Sequence, residues 1–255
     1  MLERQAIIAA RNLCKTYSAG NEQYHAVRNV DLDIHEGEFT VIMGNSGSGK
    51  SSLLYLLSGL DNVTAGEVYF RDRRIDQFGE RELSDFRAKN IGYIYQSINL
   101  VPDLTIWDNV TLPGYIAGKK KEAIATRARE LAHTMGIEGQ LGRLPSQTSG
   151  GQQQRAAIAR ALINSPDVLF ADEPTGSLNY DQGVAVLDLL SGMNKDGQTV
   201  VMVTHDIKAA CRADRLIYIR DGKIGGILEF GKQGDMNTND REALIFSFVS
   251  QKVKV

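Results

Sequence analysis

Residues 44–51 read Gly-Asn-Ser-Gly-Ser-Gly-Lys-Ser, directly after the apolar run 39–43 and shortly before the apolar run 53–60. No other feature restricts the possible folds as much. The pattern G-x-x-x-x-G-K-[ST] between a strand and a helix makes a loop whose backbone N–H groups turn inward on a polyanion, and the helix N-terminus adds partial positive charge. Lys50 would bring a point charge to the β and γ phosphates, and the Ser51 hydroxyl would reach Mg²⁺. Gly44, Asn45, Ser46, Gly47, Ser48, Gly49, Lys50, Ser51 and Ser52 are therefore the candidate phosphate-binding residues.

Such a loop requires a buried strand behind it, and the rest of the chain supplies more of them. Short Val/Ile-rich runs at 39–43, 91–95, 168–171 and 200–204 alternate with helical spacing. That alternation predicts an α/β architecture with a largely parallel sheet, in which ligands gather at the carboxyl ends of the strands. The run Val168-Leu169-Phe170-Ala171 delivers Asp172 and Glu173 to such an end. Asp172 fits the Mg²⁺-side acid of phosphate-loop NTPases, acting through a water, and Glu173 is placed to polarise an attacking water. Alone, an Asp-Glu pair after a strand is an ordinary solvated terminus; the phosphate loop gives it a task.

Residues 7–13 and 30–34 flank the polar turn 18–24 and predict a small antiparallel flap beside the main sheet. From about residue 97 to 162 the strand signal vanishes, and Ile124, Ala128, Leu131, Ala132 and Met135 fall at helical spacing. This predicts a helical subdomain inserted into the sheet domain, and residues 239–249 read as a capped helical tail. The expected organisation is one domain over 1–255, with the core in 1–96 and 163–238, the helical insertion in 97–162 and the tail in 239–255.

A formal net charge of −2 provides no global basic field, which argues against nucleic acid as a partner. Cys14 and Cys211 are far apart and form no metal-ligand spacing, so both are expected as free, buried thiols. No secretory signal is expected at the N-terminus, and no apolar run approaches the ~20 residues of a membrane span. Any membrane association is expected to come through a partner protein.

Ser149-Gly150-Gly151-Gln152, followed by Gln153-Gln154-Arg155, opens a helix. With the phosphate loop and the Asp172-Glu173 strand, this segment resembles the signature motif of ABC-transporter nucleotide-binding domains, and the likeness runs essentially end to end. The resemblance implies an ABC-type P-loop NTPase core with an N-terminal antiparallel β subdomain and an inserted helical subdomain. It implies ATP hydrolysis with Mg²⁺, and a homodimer in which Ser149, Gly150, Gly151 and Gln152 of one copy meet the ATP bound by the other. Tyr17, in Lys15-Thr16-Tyr17, matches the residue that stacks on adenine, a role in which phenylalanine is expected to serve nearly as well. Gln96 matches the glutamine that reaches Mg²⁺ and the attacking water. His205, in Val203-Thr204-His205-Asp206, matches the histidine at the γ-phosphate, and 177–179 sits where the family has an interface loop. Thr148 stands where Leu is common before the signature serine, and Asn179 where Asp is usual.

Gly92-Tyr93-Ile94-Tyr95-Gln96, Asn99-Leu100-Val101-Pro102 and 108–113 are similar to one branch: lipoprotein-release, macrolide-export and antimicrobial-peptide-resistance ATPases. The turn Asp221-Gly222-Lys223 and the short tail are most similar to the bacitracin-type members. This likeness implies an integral membrane permease as partner and a place at the cytoplasmic face of a bacterial membrane. Chromosome and DNA-repair relatives would carry a coiled coil or zinc module between phosphate loop and signature; neither heptads nor cysteines occur there.

Overall fold

The computed structural model describes residues 5–20, 22–230 and 236–253. In chain order the elements are β1 (Ala6–Ala19), β2 (Glu22–His35), β3 (Phe39–Gly44), α1 (Lys50–Leu57), β4 (Ala65–Phe70), β5 (Arg73–Arg74), α2 (Glu80–Asn90), β6 (Ile91–Ile94), α3 (Ile106–Ile116), α4 (Lys121–Met135), α5 (Gly150–Leu162), β7 (Val168–Asp172), α6 (Tyr180–Lys195), β8 (Thr199–Val203), α7 (Ile207–Ala210), β9 (Arg215–Arg220), β10 (Lys223–Glu229) and α8 (Thr238–Val253). The chain divides into two compact units, one formed by the residues up to Leu83 and from Asn194 onward, the other by Ser84–Met193.

In the first unit, β3 lies between β8 and β9, parallel to both, with Ile42 level with Val203 and Ile217. Phe39, Val41, Ile42 and all of Val200–Val203 are buried, as continuous apolar runs in a sheet covered on both faces must be. The β9–β10 hairpin turns at Asp221-Gly222 and places β10 antiparallel on the outer side of β9. Beside this lies a separate antiparallel sheet in the order β2-β1-β4-β5. The predicted flap is therefore larger than expected: β1 and β2 are each 14 residues long, and two further strands come from after α1. Buried Arg215 joins the layers, meeting Glu38 at 2.7 Å and donating to the Asp33 carbonyl of β2. The tail helix α8 is anchored by Arg241, 2 % exposed, whose guanidinium donates to the Cys211 and Ala213 carbonyls and lies over the Phe230 ring.

In the second unit, β6 and β7 are parallel, with Ile94 level with Ala171, and α3, α4 and α5 pack on one another. On α4 the buried residues are Ile124, Ala128, Leu131, Ala132 and Met135, the stripe predicted from spacing, and the helix stops at Gly136 in the left-handed region (φ 61°). Buried Asn109 organises the loop before α3: its amide accepts from the Val101 N–H and donates to the Val101, Leu104 and Thr105 carbonyls. The architecture is α/β with an antiparallel N-terminal sheet and a helical insertion, as expected. Cys211 is buried but Cys14 only half so; its thiol donates to Asn29 Oδ1 at 2.9 Å.

Candidate functional site

The phosphate loop leaves β3 at Gly44 and enters α1 at Lys50. Its glycines are required by geometry at two points. Gly49 has φ 98°, and a Cβ there would lie 2.0 Å from the Ala26 carbonyl oxygen; at Gly44 (φ 156°) it would lie 2.1 Å from the Ile219 carbonyl oxygen. The loop is held from outside by the Tyr24 hydroxyl, which donates to the Gly47 carbonyl at 2.5 Å, and by the Gly222 N–H, which donates to the Ser48 carbonyl at 3.0 Å. Lys50, only 8 % exposed, curls back to donate to the Asn45 carbonyl at 2.8 Å. Ser48 Oγ is buried without a hydrogen-bond partner. A buried, orphaned hydroxyl in a glycine loop at a helix N-terminus is a donor set that fits a phosphate group.

Tyr17 lies on β1 of the same unit, directly across the hairpin from Tyr24. Its hydroxyl donates to Asp61 Oδ2 at 2.8 Å and lies 3.4 Å from Ser52 Oγ on α1. Asp61 Oδ1 receives Lys15 Nζ at 2.6 Å. Burial pushes the Tyr17 phenol above its ordinary value; the Ser52 contact offsets this in part and Asp61 adds to it. Burial also raises the Asp61 carboxyl, but hydrogen bonds from Lys15, Tyr17 and the Asn62 N–H hold it below its ordinary value overall. His205, also in this unit, follows β8 and is exposed, next to Asp206, which caps α7.

The second unit carries the other candidates. Because β6 and β7 run parallel in register, the residues just past their ends come level. Gln96 Nε2 donates to Glu173 Oε2 at 3.3 Å. Asp172, 5 % exposed, ends β7. Glu173 then adopts φ 44°, a left-handed conformation uncommon for a residue with a side chain and concentrated at functional sites. Gly176 closes the turn with its N–H on the Glu173 carbonyl at 3.0 Å, and a Cβ there would approach both Gln96 and Glu173 within 3.7 Å.

Ser149 is the N-cap of α5: its Oγ accepts from the Gln152 N–H at 3.3 Å, and Gln152 Oε1 accepts from the Ser149 N–H at 2.9 Å. This reciprocal capping box fixes the first turn and leaves the serine hydroxyl hydrogen available to a ligand. Gly150 is exposed, while Gly151 is buried against the Gln182 side chain. The two departures from the family pattern both have local work. Thr148 Oγ1 donates to the Pro145 carbonyl at 2.8 Å, and Asn179 Oδ1 accepts from the Gln182 N–H at 3.0 Å as a cap of α6.

Sequence reading missed Lys15, Tyr24 and Asp61. The two-residue spacing of Lys15 and Tyr17 on one strand face was the available signal for Lys15; nothing local pointed to Tyr24 or Asp61.

The ABC transporter family model matches residues 27–176 of this sequence. An uncharacterised ABC transporter ATP-binding protein of Methanocaldococcus jannaschii is 45% identical over 222 residues, 87% of this chain and 99% of that protein. The macrolide export ATP-binding/permease protein MacB of Pasteurella multocida is 42% identical over 220 residues, 86% of this chain but 34% of MacB. Among solved structures, an ATP-binding cassette from M. jannaschii, determined as a dimer in a post-hydrolysis state bound to ADP and Pi, superposes with a TM-score of 0.81. It is 41% identical and covers 87% of this chain and 98% of that one.

Proposed function

The chain belongs to the ABC transporter family and is an ATPase of that family, and on that premise we propose that two copies close head-to-tail around two ATP molecules to drive a separate membrane permease. Each site takes Tyr17, residues 44–52, Gln96, Asp172, Glu173 and His205 from one copy and Ser149, Gly150, Gly151 and Gln152 from the other. Ser51, Gln96 and, through a water, Asp172 would hold a magnesium ion; these hydroxyl, amide and carboxylate oxygens suit that hard cation. When bound it neutralises phosphate charge.

In this reading the loop N–H groups and Lys50 bind and orient the β and γ phosphates, so the transferred group is in line before reaction. Glu173 takes the proton of the attacking water, Gln96 orients that carboxylate and water, and His205 donates to the γ-phosphate. Ser149 and the α5 N-terminus bind the γ-phosphate of the facing copy, so closure depends on an intact triphosphate. After cleavage the bridge is lost and the copies separate.

The observation that carries the reading is the Gln96–Glu173 pair at the ends of adjacent parallel strands, 3.3 Å apart, with Glu173 in a left-handed backbone conformation. Glu173→Gln is the test: ATP binding is retained, turnover falls by roughly 10²–10⁴-fold, and an ATP-bound dimer accumulates. Turnover near that of the unaltered protein would remove Glu173 from the role of base.

The permease is proposed to dock on α3 and the loop before it. Val101, Leu112, Tyr115 and Ile116 are exposed there, and Leu112, Tyr115 and Ile116 share one helix face at i, i+3, i+4 spacing. Of the other apolar residues between Gln96 and Leu112, Ile106 and Val110 are buried, while Ile98, Leu100, Leu104 and Trp107 are half-buried. Such a face suits an amphipathic permease helix. Among the described residues no helix is long and apolar enough to cross a membrane, so the permease would hold the chain at the cytoplasmic face of a bacterial membrane. The likeness to MacB, a macrolide export protein, supports an export role, and the motifs at 92–96, 99–102 and 108–113 support antimicrobial peptides or lipid-linked molecules as cargo. Deleting the gene should sensitise the host to bacitracin-like peptides; unchanged sensitivity would move the cargo elsewhere in the branch.

A further inference from the structure

A stacking tyrosine needs only its ring, yet the hydroxyl of Tyr17 is built into a hydrogen-bonded network. It donates to Asp61 Oδ2 at 2.8 Å, and the other Asp61 oxygen takes Lys15 Nζ at 2.6 Å and the Asn62 N–H at 2.7 Å. Lys15 is largely buried and also donates to the Asn62 carbonyl at 2.7 Å. Its ammonium lies 4.8 Å from the centroid of the Tyr17 ring, so one ring face is occupied by a cation and a base can stack only on the other. Tyr17 is 39 % exposed; without these restraints an exposed side chain would lose rotamer freedom on binding and weaken the stack.

Asp61 itself is placed by the exit of α1. Gly59, with φ 68°, turns the chain so that the Leu60 and Asp61 N–H groups both reach the Tyr55 carbonyl, at 2.8 and 3.2 Å. One helix therefore carries the phosphate loop at its start and the carboxylate that aims Tyr17 at its end. The distance from the stacking surface to the phosphate cradle is set by α1, rather than by the flap alone.

We propose that Asp61, paired with Lys15, is a positioning residue for nucleotide recognition, which holds the Tyr17 ring at a fixed place relative to the phosphate loop through the Tyr17 hydroxyl. This rests on the reading of Tyr17 as the base-stacking residue. It also changes what that reading implies for substitution, since phenylalanine keeps the ring but loses the tether.

The test compares Mg-ATP with Mg-tripolyphosphate, which has the phosphates and no base. Tyr17→Phe and Asp61→Asn should each weaken ATP binding about three- to tenfold, the cost of immobilising one untethered side chain on binding. Tripolyphosphate affinity should stay as it was, KM should rise more than kcat falls, and the double variant should be no weaker than the worse single one. ATP affinity unchanged in Tyr17→Phe would overturn the proposal, as would equal loss of ATP and tripolyphosphate affinity in Asp61→Asn. Tyr17→Phe leaves the Lys15–Asp61 ion pair intact, so it keeps the test valid if Asp61→Asn folds poorly. Tyr17→Ala separates the two claims: undiminished ATP affinity there refutes base stacking itself, whereas a loss there with none in Tyr17→Phe refutes only the tether.

Discussion

Two glycines of the phosphate loop look alike in sequence and differ sharply in what surrounds them. Gly47 has φ 75° and nothing within 4 Å of where a Cβ would stand, whereas at Gly49, φ 98°, that carbon would sit 2.0 Å from the Ala26 carbonyl oxygen and 3.2 Å from its carbon. Gly47→Ala therefore costs only the left-handed backbone, about 1–2 kcal/mol. Gly49→Ala carries the same backbone cost, and in addition the carbonyl must retreat by more than about 1 Å to reach ordinary contact distance. That carbonyl belongs to β2, which is tied nearby by the Arg28 N–H on the Gly222 carbonyl at 2.8 Å. It is not the far end of a flexible side chain. Movement of α1 is the alternative, and it would displace the first-turn N–H groups proposed to bind the phosphates. We expect Gly49→Ala to lose about 2–5 kcal/mol of stability, the left-handed backbone cost plus that of forcing packed atoms apart. Denaturant midpoints and ATP affinity of the two variants, measured side by side, decide the matter. Gly47→Ala should bind ATP within a few-fold of the unaltered protein, while Gly49→Ala should lose binding by more than tenfold. Equal midpoints and equal affinities for the two variants would refute the reasoning.

Ser149→Ala should remove the cap of α5 and destabilise the protein by about 1 kcal/mol, while also lowering ATP-dependent dimerisation; intact dimerisation in a gel-filtration assay would limit Ser149 to the capping role. Arg241→Ala should cost about 2–4 kcal/mol, because two buried carbonyls lose their donor, and limited proteolysis should then release α8 first; unchanged protection would mean that other contacts hold the helix. Ile116, 69 % exposed, can be replaced without a core penalty, so Ile116→Glu should leave the melting temperature and ATP affinity alone and abolish co-purification with the permease. Normal co-purification would place the docking surface elsewhere.

The parts legible in the sequence are those whose signal is local. The strands β7 and β8 are buried along their length and β3 up to Met43, and all three read as short, mainly apolar runs. The stripe of α4 and the Ser149–Gln152 capping box follow from spacing within one or two turns. The flap was only half legible: β4 pairs with β1 through Ile8 opposite Phe70, a contact between segments separated by β2, β3 and α1, and its short alternating pattern does not announce a partner. The site shows the same division. Lys50, Glu173 and Ser149 stand in motifs, but Asp61 gains its role from a contact 44 residues away in sequence, and Tyr24 from a carbonyl 23 residues away. Neither position carries a pattern of its own. Thr148 and Asn179, which read as departures, prove to be hydrogen-bonding residues of the turns that lead into α5 and α6.

The central claim is that each ATP site is shared between two copies of the chain. Lys50→Ala disables the phosphate side of a site and Ser149→Arg disables the signature side, so each variant alone should neither dimerise with ATP nor hydrolyse it. Mixed, they should form heterodimers in which Lys50 of one copy faces Ser149 of the other, restoring up to about a quarter of the sites by random pairing of a symmetric dimer. Size-exclusion chromatography of the mixture with ATP, followed by an ATPase assay on the dimer fraction, is the measurement. The account predicts a dimer peak and activity that neither variant shows alone; a mixture no better than its components would contradict it.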